Sequence, residues 1–353
     1  MVTPKTFSIG HLKPLYPVIQ GGMGIGISLH SLAGHVAKCG GIGIISGVQT
    51  GFRRPNFLQD PLKANLLSLE TEIAKSRQIA PKGILGVNLM VAMKNYEALA
   101  RQAVRSKIDL IISGAGLPLD LPAFVKGSST KAVPIVSSAK AAHVICRMWD
   151  RKQNYAPDAL IVEGPLAGGH LGFSLDELET PKDVLTLVQE VKTISKEYEE
   201  KYQKKIPVLA AGGIYTGEDV RNALDSGADG VQMATRFVTT YECDAPLTYK
   251  EAYINAKEED IHIVKSPVGM PGRAITNTFI QAPPGNKACL YHCIQKCSVT
   301  DIPYCISKAL INAAEGNLDN ALLFCGSKAS KATHLEHIED IFTEIKEALA
   351  LSK

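Results

Sequence analysis

His170 stands within Gly168-Gly169-His170-Leu171-Gly172, a histidine with glycine close on both sides. An imidazole titrates near neutrality and suits general acid–base work, and the flanking glycines leave it open to a ligand. It is the candidate catalytic residue. Other short apolar runs end in glycine as well, at Gly21-Gly22-Met23-Gly24, Gly114-Ala115-Gly116, Glu163-Gly164-Pro165 and Gly212-Gly213. Without a Cβ the backbone can come close to a flat or phosphorylated ligand. Any one of these is an ordinary tight turn; several at one rim predict a ligand site. Ala211-Gly212-Gly213-Ile214-Tyr215-Thr216-Gly217 leads into a helix beside Ala234-Thr235-Arg236. Backbone N–H groups, a helix N-terminus and the Thr235 hydroxyl there suit a phosphate. A rival reading takes Gly22-Met23-Gly24-Ile25-Gly26 as a dinucleotide fingerprint. Its third glycine is missing, falling on Ile27 or Leu29, and no acid ends the next strand at Ile45-Ser46-Gly47-Val48. His30, His35 and His143 fall on predicted helices and suit surface or packing roles.

These residues need elements that bring them to one place. Apolar runs at Pro17–Gln20, Ile42–Ser46, Ile84–Leu89, Leu110–Ser113, Val133–Ser137, Ala159–Val162, Val208–Ala211 and Gly230–Met233 read as strands. They are near-continuous rather than alternating, as in strands buried on both faces. Helical stretches separate them, among them Leu29–Lys38, Leu66–Arg77, Tyr96–Arg105, Ala139–Trp149, Leu185–Glu200 and Gly217–Ser226. Strictly alternating units imply a parallel sheet, and the count of strands favours a closed α/β (TIM) barrel. Its active site then lies at the carboxyl ends of the strands, where the glycines stand. From Lys257 the pattern changes. Asp260–Ala282 reads as irregular, Cys289–Ile311 as helical in part, and Leu335, Ile338, Ile341, Phe342, Ile345 and Leu349 mark a closing amphipathic helix. The expected organisation is a barrel over residues 1–257 and a mostly helical, cysteine-containing extension over 258–353 packed on it.

Composition narrows the partners. The chain has 353 residues, 45% of them hydrophobic, enough for a large core, and a net charge of only +3 from 38 basic and 35 acidic residues. With no basic stripe and no long apolar run, neither nucleic acid nor a membrane is an expected partner. Met1–Gly10 lacks a charged-then-apolar leader pattern, so the expectation is a cytoplasmic protein acting on a small molecule, with a homodimer as the assembly to test. Eight cysteines in so long a chain do not suggest a disulfide scaffold. Cys289, Cys293, Cys297 and Cys305 are spaced C-x3-C-x3-C-x7-C, without the C-x2-C pair common in zinc and iron–sulfur sites. On one helix, Cys289 and Cys297 would lie ~12 Å apart along the axis. No metal ligand is therefore assigned. The expectation is a cysteine stripe on a buried helix face, with a cluster as the alternative should the helix break.

Taken together, Pro17-Val18-Ile19-Gln20-Gly21-Gly22-Met23-Gly24, Ser113-Gly114-Ala115-Gly116-Leu117-Pro118, Glu163 through Gly172, Ala210-Ala211-Gly212-Gly213-Ile214 and Gly230 through Phe237 resemble the nitronate monooxygenase (2-nitropropane dioxygenase) family. That superfamily also holds flavin enoyl-ACP reductases and NAD(P)H:quinone reductases. The resemblance implies an FMN-binding TIM barrel. By it, Gly22, Met23 and Gly24 line the flavin ring, Asn88 faces its pyrimidine side, and Lys140 and Glu163 reach ring or ribityl polar groups. Gly169, Gly212, Gly213, Ala234 and Thr235 hold the phosphate end, and His170 matches the catalytic histidine. The implied activity is oxidation of alkyl nitronates with O2. The alternative is reduction of an enoyl thioester or quinone, with NAD(P)H as co-substrate. Ala234 stands where glycine is common, and the cysteine-rich stretch is not part of the pattern.

Overall fold

The computed structural model describes residues 7–281, 289, 291, 293–295, 297 and 302–350. Eight parallel strands close a barrel: β1 (Val18–Gln20), β2 (Ile42–Ser46), β3 (Ile84–Met90), β4 (Leu110–Gly114), β5 (Lys131–Val136), β6 (Leu160–Glu163), β8 (Val208–Ala211) and β9 (Gly230–Met233). β1 pairs with β9 at Val18↔Val231 and Gln20↔Met233, which shuts the ring. Every residue of β1, β2, β4 and β8 is buried, the property that made these runs continuous rather than alternating. One side packs inward: Ile19, Ile42, Ile44, Leu110, Ile112, Val133, Ile161 and Leu209 fill the barrel. Phe7, Ile9 and Leu12 join that cluster from below, with Phe7 against Gly230 and Gly10 against Lys131, where β9 and β5 begin. The amino end of the barrel is thus stoppered, and open space remains at the carboxyl end.

The intervening helices are set by local signals. Asp60 accepts a hydrogen bond from Lys63 N at 3.0 Å and Pro61 opens the helix Pro61–Ile79, which starts five residues before the apolar periodicity suggests. Ser138 caps Ala139–Gln153. Thr216 and Asp219 form a reciprocal capping box at the start of Gly217–Asp225, fixing the loop after β8. None of the described helices is long and apolar enough to cross a membrane.

The segment from residue 258 departs from expectation. Where an irregular stretch was expected, β10 (Ile261–Lys265) and β11 (Pro271–Ile275) form an antiparallel hairpin, and β12 (Leu323–Phe324) adds to β11. β11 pairs on its other side with β7 (Gly169–His170), in register Gly272↔His170. Residues 261–275 of the extension are therefore mainly sheet rather than irregular, and β11 hydrogen-bonds directly to the loop after β6. Its core, with Val264, Ala274, Ile306, Leu310 and Leu322, is shared with Ile25, Phe52 and Phe57 of the barrel rim. At ~1.5–3 kcal/mol for each fully buried large apolar side chain, that shared core fixes the segment to the rim. The closing helix is Ile338–Ala350, with Ile338, Ile341, Phe342, Ile345 and Leu349 buried.

Candidate active site

A cavity of ≈ 220 Å³ opens at the carboxyl ends of the strands. Gly21 to Gly24 after β1, Ser46 and Asn88 at the ends of β2 and β3, Glu163 at the end of β6, and Gly212-Gly213 after β8 line it. Gln232, Ala234 and Thr235 complete that side from β9. The space depends on missing side chains. A Cβ on Gly22 would stand 2.3 Å from the Asn88 Cβ, and one on Gly212 would stand 2.9 Å from Ala167 N. Gly212 also has φ +95°, a conformation that other residues rarely adopt. Among the described residues, the buried side-chain oxygens without a hydrogen-bond partner are Ser46 Oγ, Gln232 Oε1 and Ser327 Oγ. All of them line this cavity. Buried polar groups are normally paired, so three orphans around one space mark where a polar ligand fits.

His170 lies in this wall. Its Nε2 is 2.7 Å from Ser266 Oγ, and its ring meets Phe324 edge-on at a centroid distance of 4.8 Å. It keeps some accessible surface because it faces the cavity, yet protein surrounds it, and that burial lowers its pKa to about 4. The imidazole is neutral at pH 7. Glu163 moves the other way: burial raises its carboxyl to about 7. Its side chain makes no hydrogen bond to another described residue. One cavity thus holds a carboxyl and an imidazole whose surroundings push their titrations past each other. Arg273 of β11 ties the two halves of the wall together, donating to Pro165 O at 2.9 Å and also to Ala167 O.

The sequence-derived site residues converge with one exception. Gly22, Met23, Gly24, Asn88, Glu163, Gly169, His170, Gly212, Gly213, Ala234 and Thr235 all line the cavity. Lys140 does not: it sits exposed at the start of Ala139–Gln153, away from the lining. Arg236 points elsewhere too. It pairs with Glu336 at 2.8 Å and Glu344 at 2.6 Å on the closing segment. Sequence reasoning missed Ser266, Tyr249, Tyr253, Phe324, Cys325, Ser327 and Lys328. Tyr249 and Tyr253 stack at 5.5 Å and both donate to Phe324 O, holding β12 against the cavity. Lys328 Nζ bonds both oxygens of Asp219, at 2.8 and 2.9 Å, joining the segment to the capped loop after β8. Gly326 N donates to Thr235 Oγ1 at 3.2 Å. A signal existed for part of this set: Ala321–Cys325 is another apolar run ended by glycine and serine.

An eight-stranded parallel barrel with a glycine-walled cavity at its carboxyl rim, and an opposed histidine and carboxyl inside it, defines a barrel enzyme. The particular family follows from comparison. A family model described as nitronate monooxygenase matches residues 5–347, and the chain belongs to that family of oxidoreductases. It is 29% identical over 272 residues to (3aS,4S,5R,7aS)-5-hydroxy-7a-methyl-1-oxo-octahydro-1H-indene-4-carboxyl-CoA dehydrogenase of Rhodococcus jostii, a match spanning 76% of this chain and 64% of that relative. It is 28% identical to a probable nitronate monooxygenase of Staphylococcus aureus, over 75% of this chain and 77% of that one. Among solved structures it resembles FabK from Thermotoga maritima, with 26% identity, a TM-score of 0.71, and coverage of 95% and 93% of the two chains. It shares its fold with nitroalkane oxidase from Streptomyces ansochromogenes at 21% identity and a TM-score of 0.70, over 96% and 98%.

Proposed function

We propose that this chain is an FMN-dependent oxidoreductase that oxidises alkyl nitronates with O2, with His170 as its catalytic residue. The observation that carries this reading is a neutral His170 inside a glycine-walled cavity whose unpaired polar atoms await a ligand. The residues present fit FMN. Gly22, Met23 and Gly24 give a flat wall for the ring, with Asn88 beside them. Ser46, Glu163 and Gln232 offer polar atoms to ring and ribityl groups. Gly169, Gly212, Gly213, Ala234 and Thr235 surround the phosphate end, and Lys328 adds a cation there. Lys140, exposed outside the cavity, is not retained in this role. When bound, FMN would accept electrons from the substrate carbon and pass them to O2.

The chain's own residues then have defined tasks. A nitronate is an anion, so its entry into a buried cavity requires donors and no fixed negative charge. Below pH 7 Glu163 is mainly protonated and does not repel it. His170, with Ser266 on Nε2, has Nδ1 left to hydrogen-bond a nitronate oxygen or to exchange a proton there.

A second reading is an NAD(P)H-dependent flavin reductase of an enoyl thioester or quinone. The likeness to FabK and to a dehydrogenase named for a CoA thioester favours it. Anaerobic stopped flow separates the two. Rapid flavin bleaching by an alkyl nitronate, with none by NADH or NADPH, is the expected result. Bleaching by a nicotinamide and none by nitronates overturns it in favour of the reductase. Acid-released flavin that runs as FAD on chromatography refutes the cofactor assignment.

A further inference from the structure

Beside the main cavity lies a smaller one of ≈ 30 Å³. Val48, Met90, His170 and Leu310 line both, so the two spaces adjoin at the histidine. A space of that size takes about two water-sized groups. Part of its wall comes from the segment expected to be a cysteine-bearing helix. There Ile294 instead forms an antiparallel bridge with Met93. Lys94 N donates to Cys293 O at 3.0 Å, and Gln295 N donates to Ala92 O at 2.9 Å. Residues 293–295 are therefore extended chain, pinned to the loop after β3. The break in the helix does not gather the thiols: among the described residues, no three His, Cys, Asp or Glu side chains are grouped to hold a metal. It does set Cys293 Sγ 3.0 Å from Ser307 Oγ, which donates to it.

The polar character of the small cavity centres on Gln49, a side chain only 4% exposed. The orientation of its amide follows from a donor that cannot be reversed. Gly51 N donates to the Asn65 side chain at 2.8 Å, so the atom it meets there is the oxygen, Oδ1. Asn65 then turns Nδ2 toward Gln49, and the Gln49 atom 2.7 Å away is Oε1. Nε2 is left facing Ser307, which also lines the cavity. Its contact there, with Ser307 Oγ at 3.5 Å, is at the outer limit of a hydrogen bond. An amide nitrogen carries two N–H groups, so a buried donor at this wall lacks a good partner among the described residues. Gln49 also stands at φ +49°, a conformation that residues with side chains rarely adopt, and its bond from Asn65 holds the amide in place. Around it Val48, Met90, Val268, Ile306 and Leu310 are apolar.

We propose that this side cavity receives the non-reacting substituent of the substrate, and that Gln49 Nε2 donates to an uncharged oxygen on it. The inference deepens the nitronate reading and rests on it. With the nitronate group at His170, the preferred substrate carries a hydroxyl or carbonyl oxygen about two or three atoms beyond the reacting carbon, as far as the space allows. The apolar walls take the intervening carbons, and the amide tells an oxygen from a methyl group of the same size. A site built to bond an oxygen discriminates against the analogue that lacks it, because the buried donor is then left unpaired.

The test compares 3-nitropropan-1-ol with 1-nitrobutane, a pair that differs by hydroxyl for methyl at the chain end. Dissociation constants of the neutral compounds are measured on the full chain as purified, without oxygen, by ligand-observed NMR. Their nitronates are then compared by kcat/KM with O2. The alcohol should bind at least about tenfold more tightly, and its nitronate should show a matching preference in kcat/KM. Gln49→Leu, checked for unchanged flavin content, should erase the preference, and Ser307→Ala should keep it. Equal binding of the pair, or binding of neither, overturns the inference on the unmutated protein alone, whether or not a variant folds. So does a preference that survives Gln49→Leu or that Ser307→Ala removes. The binding measurement also separates this inference from the reading beneath it. Tighter binding of the alcohol with oxidation of neither nitronate would refute the reaction and leave the selective cavity standing.

Discussion

The barrel rim and the segment after Lys257 enclose the same cavity by opposite means. The rim works by omission: Gly22 and Gly212 leave room because a Cβ there would strike Asn88 or Ala167. The later segment works by addition. Ser266 bonds His170, Phe324 packs against its ring, and Lys328 grips Asp219. On the proposed function, the rim would set where a ligand lies and the inserted side chains would tune the histidine beside it.

Filling the rim should act furthest upstream, on binding of the cofactor that all turnover would need. Gly212→Val puts a branched side chain where the backbone of Ala167 and Gly164 stands, in a conformation that valine avoids. Flavin content after gel filtration should fall at least about tenfold, given ~1–3 kcal/mol of local strain, with far-UV circular dichroism unchanged. Normal flavin content in a folded Gly212→Val would mean that the ligand does not depend on this turn.

Next comes His170→Asn, which keeps a donor but cannot titrate. Turnover should drop by about 10²–10⁴-fold with flavin retained. Near-native turnover would reduce His170 to an orienting role, and loss of flavin would make its role structural.

Ser266 is a positioning residue, and its effect should be smaller. Ser266→Ala removes one hydrogen bond to His170, so kcat should fall about tenfold, in line with ~1–1.5 kcal/mol for such a bond. The acid limb of the kcat profile should move while flavin affinity stays put, and Ser266→Thr should restore both. If Ser266→Ala changes only thermal stability, the segment closes the cavity without tuning it.

The smallest signal is in the pH dependence of stability. Without ligand, His170 has a folded pKa of about 4 against an ordinary 6.5, so between these values the unfolded chain holds the extra proton and stability rises with pH. Glu163, at about 7 against 4.5, holds its proton in the folded state, so stability falls as pH rises across that window. The two slopes oppose one another from about pH 4.5 to 6.5, leaving little net dependence from this pair. Glu163→Gln should unmask the rise and His170→Asn the fall, in urea melts at pH 4.5, 5.5 and 6.5. Parallel profiles for both variants would show that the cavity does not perturb these groups in opposite directions.

What was legible in the sequence follows the same division. The barrel was readable because strands buried on both faces leave uninterrupted runs such as Ile42–Ser46, and because rim glycines mark the ends of strands. The helix over Pro61–Ile79 began earlier than its apolar spacing suggested, although Asp60-Pro61 is a start signal in plain view. The β10–β11 hairpin was not readable. Only Val264 is buried in β10, and β11 opens with Pro271-Gly272, a pair that seldom begins a strand. β11 pairs with β10 along its length and also with Gly169 and His170, and no local pattern records that second contact between segments so far apart. Ser266 was missed for the same reason, lying 96 residues from the histidine it holds. Lys140 shows the converse: a resemblance assigned it to the cavity, and its place on an exposed helix end leaves it outside.

The pairing Gly272↔His170 also orders events in time. On the ribosome, every barrel strand through β9 is made before Pro271 is added to the chain. Until then the strand that carries His170 has no edge to join, and Ser266 has only just been made. The barrel strands thus precede in synthesis the segment that completes the wall around His170.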